Sequence, residues 1–360
     1  MVKNCLICGM GSIANSWRRA IEIHPEWELI GFIDVDVAKL DNVEAYQLPE
    51  ENAFLDIMDA KQFCENDVPL IIICTPINSH HQLAIDALDL GYNVICEKNM
   101  AQSLDLGKLM VKKAQEHPEL CTAVGHQYRY FMKYWSMRKF LLDPDCMIGD
   151  VSFIRWASGG NWGFERRGWR RFMEDLYLED MAPHHFDLLR YFLDMDIVEV
   201  QAKAFTPRFS NWLSTSSVIG NFALAKEGHY EEKDEWVYAD YYGTWQHRGE
   251  GLDDLTVYGE KGNAQLTQWG IKVEEFKDQF GGKIELDHVP LEDNPFGYGY
   301  IDQACILEQM HRGIESKGKE QPLLNFEEGF KSFAVSMACR ESSRTGKTVW
   351  VPDYWEGLYD

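Results

Sequence analysis

The feature that most constrains the fold is a glycine loop between an apolar run and a helix-like segment. The stretch CLICGMGSIANSW carries Gly9, Gly11 and Ala14 in the spacing GxGxxA. The first glycine suits a tight turn, the second lets a pyrophosphate approach the backbone, and the small third residue lets helix and strand pack closely. Ser12 and Ile13 open the helix, whose N-terminal N–H groups suit phosphates. The loop predicts dinucleotide binding.

Apolar runs alternate with helix-like segments over residues 1–125, the first predicted domain. The predicted strands are Cys5–Cys8, Leu29–Ile33, Leu70–Cys74, Val94–Cys96 and Thr122–Val124. The predicted helices are Ile13–Ile23, His80–Leu90 and Leu104–Glu116. Near-continuous apolar strands that alternate with helices predict a doubly wound parallel sheet covered on both faces.

The second predicted strand ends in Asp34. It lies about 20 residues beyond the loop, where a carboxylate binds the adenosine ribose. That carboxylate would repel a 2′-phosphate, and no arginine follows it, so the sequence favours NAD over NADP as the cofactor. The alternative interpretation is that Asp34 only caps the next turn.

Two further strand ends carry polar side chains. Thr75-Pro76 and His80 follow one strand, and Glu97-Lys98 follows the next. In a doubly wound sheet the ligand lies beyond the carboxyl ends of the strands, so we expect these residues to bind the cofactor. Lys98 can also hydrogen-bond a substrate hydroxyl and favour its alkoxide. The alternative is a solvated strand end.

Residues 126–360, the second predicted domain, have a different pattern. The predicted strands are Val151–Ala157, Val198–Phe209, Trp236–Trp245, Leu252–Tyr258 and Ala264–Gln268. With a few helices, these predict an α+β domain on a large, mainly antiparallel open sheet. The tail predicts a helix at Phe326–Thr345, a stop at Gly346 and a last strand.

The segment LEDMAPHHFD contains the strongest side-chain cluster. A helix is predicted with Pro183 at its first position. Asp180 and His184 share one face if the first turn extends back, and an imidazole beside a carboxylate is typical of a general base. A lone histidine is more often a core residue. A metal site formed with His185 and Asp187 is disfavoured because no further ligands lie nearby in the sequence.

The stretch NWGFERRGWRRF concentrates positive charge. Its arginines are Arg166, Arg167, Arg170 and Arg171. They either pair with this chain's many acids or reach over a substrate cleft, where an arginine binds a carboxylate or phosphate and a tryptophan stacks on a sugar. The candidate substrate contacts are Trp162, Trp169, Arg170 and His185.

The net charge of −23 disfavours nucleic acid as a partner. We expect neither a signal peptide nor a membrane span, because no apolar run is long enough. Nine scattered cysteines suggest reduced thiols and a cytoplasmic location. Cys5 and Cys8 form a CxxC that fits a packed strand better than zinc or redox chemistry.

Taken together, the motifs resemble the glucose–fructose oxidoreductase / inositol dehydrogenase (Gfo/Idh/MocA) family over nearly the whole chain. Ala182 stands where the family's DxGxHxxD motif has glycine. The matching positions are Gly9, Gly11 and Ala14, then Thr75, Pro76 and His80 (TPxxxH), Glu97 and Lys98 (EKP), Asp180, His184 and Asp187, Tyr258–Leu266 and Glu341–Pro352.

The resemblance implies an N-terminal Rossmann domain and a C-terminal domain whose open sheet often forms the oligomer interface, giving a homodimer or homotetramer. It implies oxidation or reduction of a carbinol carbon on a sugar, polyol or related compound. In that chemistry His184 is the acid/base, Lys98 hydrogen-bonds the reacting oxygen, and Asp180 positions the substrate or His184. An NAD-dependent glycosidase and a catalytically silent sugar or dinucleotide sensor are the alternatives.

The chain departs from the family at two places. Asn99 replaces the proline that follows Glu-Lys, and Glu174–Tyr177 replaces a glycine-rich run. A cis peptide bond is far costlier before a residue other than proline, so we expect a trans bond between Lys98 and Asn99. The second departure alters the wall of the substrate site that the resemblance implies.

Overall fold

The computed structural model describes residues 2–41, 48–63, 69–161, 169–276, 284–293, 296 and 302–358. The strands are β1 (Lys3–Cys8), β2 (Trp27–Ile33), β3 (Ala53–Phe54), β4 (Leu70–Ile73), β5 (Asn93–Cys96), β6 (Thr122–Val124), β7 (Val151–Gly159), β8 (Asp196–Phe205), β9 (Ser217–Ala225), β10 (Val237–Thr244), β11 (Leu252–Gly259), β12 (Gly262–Leu266), β13 (Gly270–Phe276), β14 (Ile284–Pro290) and β15 (Val349–Trp350). The helices are α1 (Ser12–Ile23), α2 (Val37–Leu40), α3 (Ile57–Phe63), α4 (Ile77–Asp89), α5 (Leu104–Glu116), α6 (Met132–Leu141), α7 (Leu176–Asp180), α8 (Ala182–Leu193), α9 (Gln303–Glu315) and α10 (Phe326–Thr345).

The chain divides into two compact units. The first comprises Met1–Tyr130, Pro295–Phe330 and Gly357–Asp360, and the second comprises Phe131–Asn294 and Lys331–Glu356. The first unit thus includes a late segment that the sequence analysis groups with residues 126–360. The functional division at residues 125 and 126 stays a prediction.

The first unit is built on a parallel sheet with the strand order β3-β2-β1-β4-β5-β6. Its central strands are apolar because helices cover both faces, and β4, with the sequence LIII, is fully buried. Helix α1 buries Ala14, Trp17, Ala20 and Ile21 at helical spacing. The predicted doubly wound parallel sheet is confirmed.

Helix α9 explains why a late segment joins the first unit. Its buried face includes Ala304, Leu307 and Met310, which belong to the same core cluster as Trp17. The indole N–H of Trp27 donates to the carbonyl of Leu307 at 3.0 Å. The periodicity of α9 shows an apolar face but cannot show which core that face covers.

The second unit is built on a sheet with the order β14-β13-β12-β11-β7-β10-β9-β8-β15. Strands β7 and β10 pair in parallel, and the other described pairs are antiparallel. The prediction of a large, mainly antiparallel sheet is confirmed. The helix predicted at Phe326–Thr345 is also correct, and Gly346 follows it with φ +70°.

Helix α8 is buried from Ala182 to Phe192. Among the rings around it, Phe186 lies 5.3 Å from Phe222 and 5.6 Å from Tyr241 between centroids. Its polar as well as its apolar side chains are buried, so the helix is covered on all sides. The position of this helix is therefore fixed by packing along its length.

A buried ion network anchors the C-terminal end of α8. Arg190 Nη2 donates to Asp196 Oδ1 at 2.6 Å, and Lys331 Nζ donates to Asp196 Oδ2 at 3.0 Å. Arg190 Nη1 also donates to the Ser332 hydroxyl, which donates to Asp187. Burial alone would raise the pKa of Asp196, but the charges of Arg190 and Lys331 outweigh it and lower that pKa to about 2.

Two further findings concern the described residues only. Their cysteines are free, and Cys5 and Cys8 are buried in β1, so the CxxC is part of a packed strand. No described helix is both long and apolar enough to cross a bilayer.

We expect Asp196→Asn to lower the free energy of unfolding by about 3–5 kcal/mol, because it removes the charged carboxylate that the buried Arg190 and Lys331 share. Asp194→Asn is the matched control: Asp194 is 63% exposed and pairs with Arg138, so the loss should stay below about 1 kcal/mol. Urea denaturation measures both. Equal losses would show that the buried ion network stabilises the fold no more than the exposed pair does.

Candidate active site

The glycine loop has the geometry that the sequence predicts for it. Gly9 has φ +97°, and a Cβ there would lie 2.9 Å from the backbone of Cys74 and Thr75. A Cβ on Gly11 would meet nothing within 4 Å. Helix α1 begins at Ser12 without a side-chain cap from Gly11 or acids in its first turn, so its N-terminal N–H groups suit a phosphate. The residues fit a dinucleotide.

Asp34, directly after β2, is tied to this loop. Its Oδ2 accepts from Met10 N at 2.7 Å and from Lys39 Nζ at 3.0 Å, and its Oδ1 accepts from Asp36 N at 3.0 Å. Burial alone would raise the pKa of Asp34, but these hydrogen bonds lower it. Asp34 is therefore an ionised acceptor beside the glycine loop, with a half-exposed lysine next to it.

His80 connects two strand ends. Its Nδ1 lies 2.8 Å from the carbonyl oxygen of Asn99, and its Nε2 lies 2.8 Å from that of Thr75. Burial lowers the pKa of His80 although both carbonyls favour its charged form. A neutral imidazole has one N–H, so it donates to one carbonyl at a time. Pro76 precedes α4, and Thr75 Oγ1 accepts from Ser79.

The peptide bond between Lys98 and Asn99 is cis, so the expectation of a trans bond is wrong. That expectation followed from the general preference for a trans bond before residues other than proline. In this loop, contacts of the neighbouring side chains hold the backbone. Lys98 N donates to Glu97 Oε2 at 3.2 Å, and the Asn99 carbonyl meets the buried ring of His80.

Glu97 is a buried carboxylate at the end of β5. Its Oε1 accepts from the indole N–H of Trp17 at 2.8 Å, and its Oε2 faces Lys98 N. A Cβ on Gly125 would come within 2.9 Å of Oε1. Glu97 therefore joins α1 to the backbone of the half-buried Lys98, and a residue larger than glycine at 125 would displace it.

In the second unit, Asp180 ends helix α7. Its Oδ2 accepts from Arg170 Nε at 2.6 Å. Arg170 lies in a short 3₁₀ helix, Trp169–Phe172. This arginine thus pairs with an acid, as one of the two interpretations predicts, and the acid is the one proposed for the active site.

His184 lies in the first turn of α8, and its backbone N donates to Met181 O at 3.1 Å. The predicted helix start is wrong: α8 begins at Ala182, so Pro183 is its second residue. Met181, with φ −105°, separates α8 from α7. Asp180 and His184 are consequently carried by two consecutive helices, because the chain turns between them.

His185 is buried in the second unit. Its Nδ1 lies 2.5 Å from the Tyr241 hydroxyl, which lies 3.2 Å from that of Tyr177. Its ring centroid is 4.6 Å from that of Trp156. Burial lowers the pKa of His185 to about 4, so it is a neutral core residue at pH 7. This enclosure gives no support to the expectation that His185 contacts the substrate.

The remaining candidates divide into three cases. Asp187 accepts from the Ser332 hydroxyl at 2.8 Å within the ion network. Trp162, Arg166 and Arg167 lie outside the described residues, as does the side chain of Trp169. The described residues contain no group of three or more His, Cys, Asp or Glu side chains that could hold a metal ion.

Fold and site together define a dinucleotide-binding α/β protein with a second unit on a mainly antiparallel sheet. Residues 3–126 match the family model described as oxidoreductase family, NAD-binding Rossmann fold. Residues 145–265 match the GFO/IDH/MocA C-terminal domain. The chain belongs to the Gfo/Idh/MocA family of oxidoreductases, and its first unit contains an NAD-binding Rossmann domain. The predictions of family and cofactor are confirmed.

Three known proteins illustrate the similarity. Oxidoreductase P35 of Formosa agariphila is 27% identical over 70% of this chain and 78% of that protein. Glucose-6-phosphate 3-dehydrogenase of Bacillus subtilis is 23% identical over 56% of this chain and 57% of that protein. The structure of myo-inositol 2-dehydrogenase from Lactobacillus plantarum superposes with a TM-score of 0.74 at 20% identity, covering 97% of this chain and 99% of that one.

Sequence reasoning missed two contacts in the first unit. Trp17 fits the apolar spacing of α1, and this spacing does not indicate that its indole N–H donates to Glu97. Lys39 lies five residues beyond Asp34, and only a search for any cation, rather than for arginine, would have found it.

We expect Asp34→Ser to weaken NADH binding and strengthen NADPH binding, each by about tenfold. The change removes the repulsion of a 2′-phosphate and leaves the Lys39 ammonium to attract it. Fluorescence titration with both cofactors measures the shift. Asp41→Ser, at an exposed position, should change neither affinity. A double variant with Lys39→Ala that keeps the NADPH gain would contradict the role of Lys39.

We expect Trp17→Phe to lower kcat by about tenfold with little change in the Kd of NADH, because Glu97 loses the donor that holds it against Lys98. Trp27→Phe is the matched control, since it also removes a buried indole hydrogen bond in the same unit but leaves Glu97 intact. Steady-state kinetics and NADH titration measure both. Equal losses of kcat would show that general packing is responsible.

Proposed function

We propose that this protein is an NAD-dependent dehydrogenase or reductase that acts on the CH–OH carbon of a sugar, polyol or sugar derivative. The observation that carries the proposal is the environment of Lys98. It follows β5 in the NAD-binding unit, and Glu97 and His80 hold the backbone on either side of it. Such support keeps a catalytic side chain in one place.

Bound NAD supplies the nicotinamide that accepts or returns the hydride. Lys98 donates a hydrogen bond to the reacting oxygen, and its positive charge stabilises the oxyanion as the hydroxyl loses its proton. His184 accepts that proton during oxidation and returns it during reduction. These two roles come from the family resemblance and from the chemistry of ammonium and imidazole groups.

Asp180 has a positioning role in this proposal. Its bond to Arg170 Nε keeps the carboxylate in one orientation, and we assign Asp180 to hold the substrate or His184. The substrate class draws support from the relatives, because their names specify glucose 6-phosphate and myo-inositol. Gly9, Gly11, Ser12, Ile13, Asp34 and Thr75 are the proposed cofactor contacts.

The proposal extends to assembly and location. We propose a homodimer or homotetramer from the family resemblance, a cytoplasmic location from the scattered cysteines, and no nucleic-acid partner from the net charge of −23. Light scattering on the purified chain measures the mass.

We expect Lys98→Ala and His184→Ala each to lower kcat by about 10²–10⁴-fold, with NADH affinity largely unchanged. NADH absorbance over a panel of sugars, polyols, sugar acids and glycosides first identifies a substrate. Lys112→Ala and His229→Ala remove the same groups from exposed positions and should keep full turnover. Unchanged turnover in both active-site variants would refute the mechanism, and aglycone release without net NADH would favour the glycosidase.

A further inference from the structure

An open surface cavity of about 390 Å³ in the second unit is lined by four exposed residues, Asn161, Asn211, Arg248 and Gly249. It lies just beyond the parallel strands β7 and β10, which end in register at Gly159 and Thr244. Its volume is within the range of about 300–1,000 Å³ typical of small-molecule sites. The described lining includes one cation and no carboxylate.

The walls of this cavity are held by a buried glutamine. Gln246 forms a β-bridge with Asn161, and its Oε1 accepts from Asn211 N at 3.1 Å. Its Nε2 donates to the Trp245 carbonyl at 2.9 Å, and its own N–H donates to the Thr244 hydroxyl at 3.0 Å. The two asparagine walls are therefore fixed relative to each other before any ligand enters.

The guanidinium of the exposed Arg248 contacts Phe209. Its Nη2 donates to the Phe209 carbonyl at 2.9 Å, and the group lies 4.8 Å from the centroid of the Phe209 ring. Among the described residues this carbonyl is its one hydrogen-bond acceptor. A guanidinium has five N–H donors in a planar fork, so most of its donors are available to a ligand.

Two buried indoles adjoin the same walls. Trp212 follows Asn211, and Trp245 precedes Gln246; each is 4% exposed, and their ring centroids are 5.9 Å apart. Neither indole N–H has an acceptor within the part of the chain that the structure describes. Both nitrogens are closed off from solvent, so the indoles belong to the packing behind these walls and not to the cavity lining.

We propose that this cavity binds the carboxylate or phosphate group of an acidic sugar, with Arg248 as the principal contact. The inference rests on the proposed function for the sugar class but not for the hydride transfer. The described donors that line the cavity are a guanidinium and two amides, which together suit oxygen acceptors. A carboxylate or phosphate matches the planar guanidinium best, because hydrogen bonds between charged groups are stronger than those between neutral groups.

The overall charge strengthens this assignment. A chain with a net charge of −23 repels anions in general, so an anionic substrate needs a local cation to be retained. Arg248 supplies that cation. The amide groups of Asn161 and Asn211 both donate and accept, so they suit the hydroxyls that accompany the anion on a sugar.

Isothermal titration calorimetry on the full chain, with saturating NADH so that no turnover occurs, compares glucose, gluconate, glucuronate and glucose 6-phosphate. We expect the anionic sugars to bind about tenfold or more tightly than glucose, and Arg248→Gln to remove that difference. Tighter binding of gluconate and glucuronate identifies a carboxylate site, and tighter binding of glucose 6-phosphate identifies a phosphate site. Either result supports the proposal.

A matched variant serves as the control. Arg155→Gln, at an exposed position on β7, removes the same charge from the same unit and should leave the affinities unchanged. Equal binding of glucose and the anionic sugars, no binding of any anionic sugar, or an equal effect of Arg155→Gln overturns the proposal. Because binding is measured without catalysis, it separates this outcome from a failure of the Lys98 and His184 mechanism.

Discussion

In the first unit, the buried carboxylate of Glu97 joins helix α1 to the end of β5. Glu97 lies where β5 ends, and a carboxylate out of water is stable only if donors surround it. The indole of Trp17 and the backbone N–H of Lys98 are two of these donors. This requirement explains why α1 carries Trp17, whose indole N–H reaches Glu97. It also explains why residue 125 is a glycine, since a Cβ there would come within 2.9 Å of the Glu97 carboxylate. The helix that begins at the glycine loop and the residue proposed to polarise the substrate are thereby joined through one side chain.

The second unit uses buried polar contacts in a comparable way. Helix α8, which carries His184, is enclosed by rings along its length and tied at its end through Arg190 and Asp196. His185 fills the space beside His184 as a neutral ring bonded to Tyr241. With its neighbour committed to the core and its last turn anchored, α8 has little freedom to shift. The backbone that carries His184, the proposed proton acceptor, is thereby held in position.

Patterns that follow from local physics were readable in the sequence. Apolar runs that alternate with helix-like segments predicted the parallel sheet. The spacing of Gly9 and Gly11 predicted the glycine loop, in which Gly9 has a positive φ angle and Gly11 leaves open space. Contacts between distant segments were not readable. Helix α9 shows an apolar face, but the sequence does not specify that α1 and Trp27 lie beneath it. Trp17 reads as a core residue, and Arg170 reads as one of four equivalent arginines. Only the fold distinguishes the indole N–H that meets Glu97 and the arginine that meets Asp180.

The pair between Arg170 and Asp180 bears on the anion site proposed at Arg248. In a chain that already carries a large negative charge, an unpaired carboxylate would add to the repulsion of an anionic sugar. Arg170 and Asp180 pair at 2.6 Å and are neutral together, so this acid adds little to that repulsion. The acids Glu174 and Asp175, which replace glycine-rich sequence, also lie beside a cation, because Arg340 pairs with Glu174, Asp175 and Glu179. These paired acids therefore oppose the attraction of an anion to the Arg248 guanidinium less than unpaired acids would.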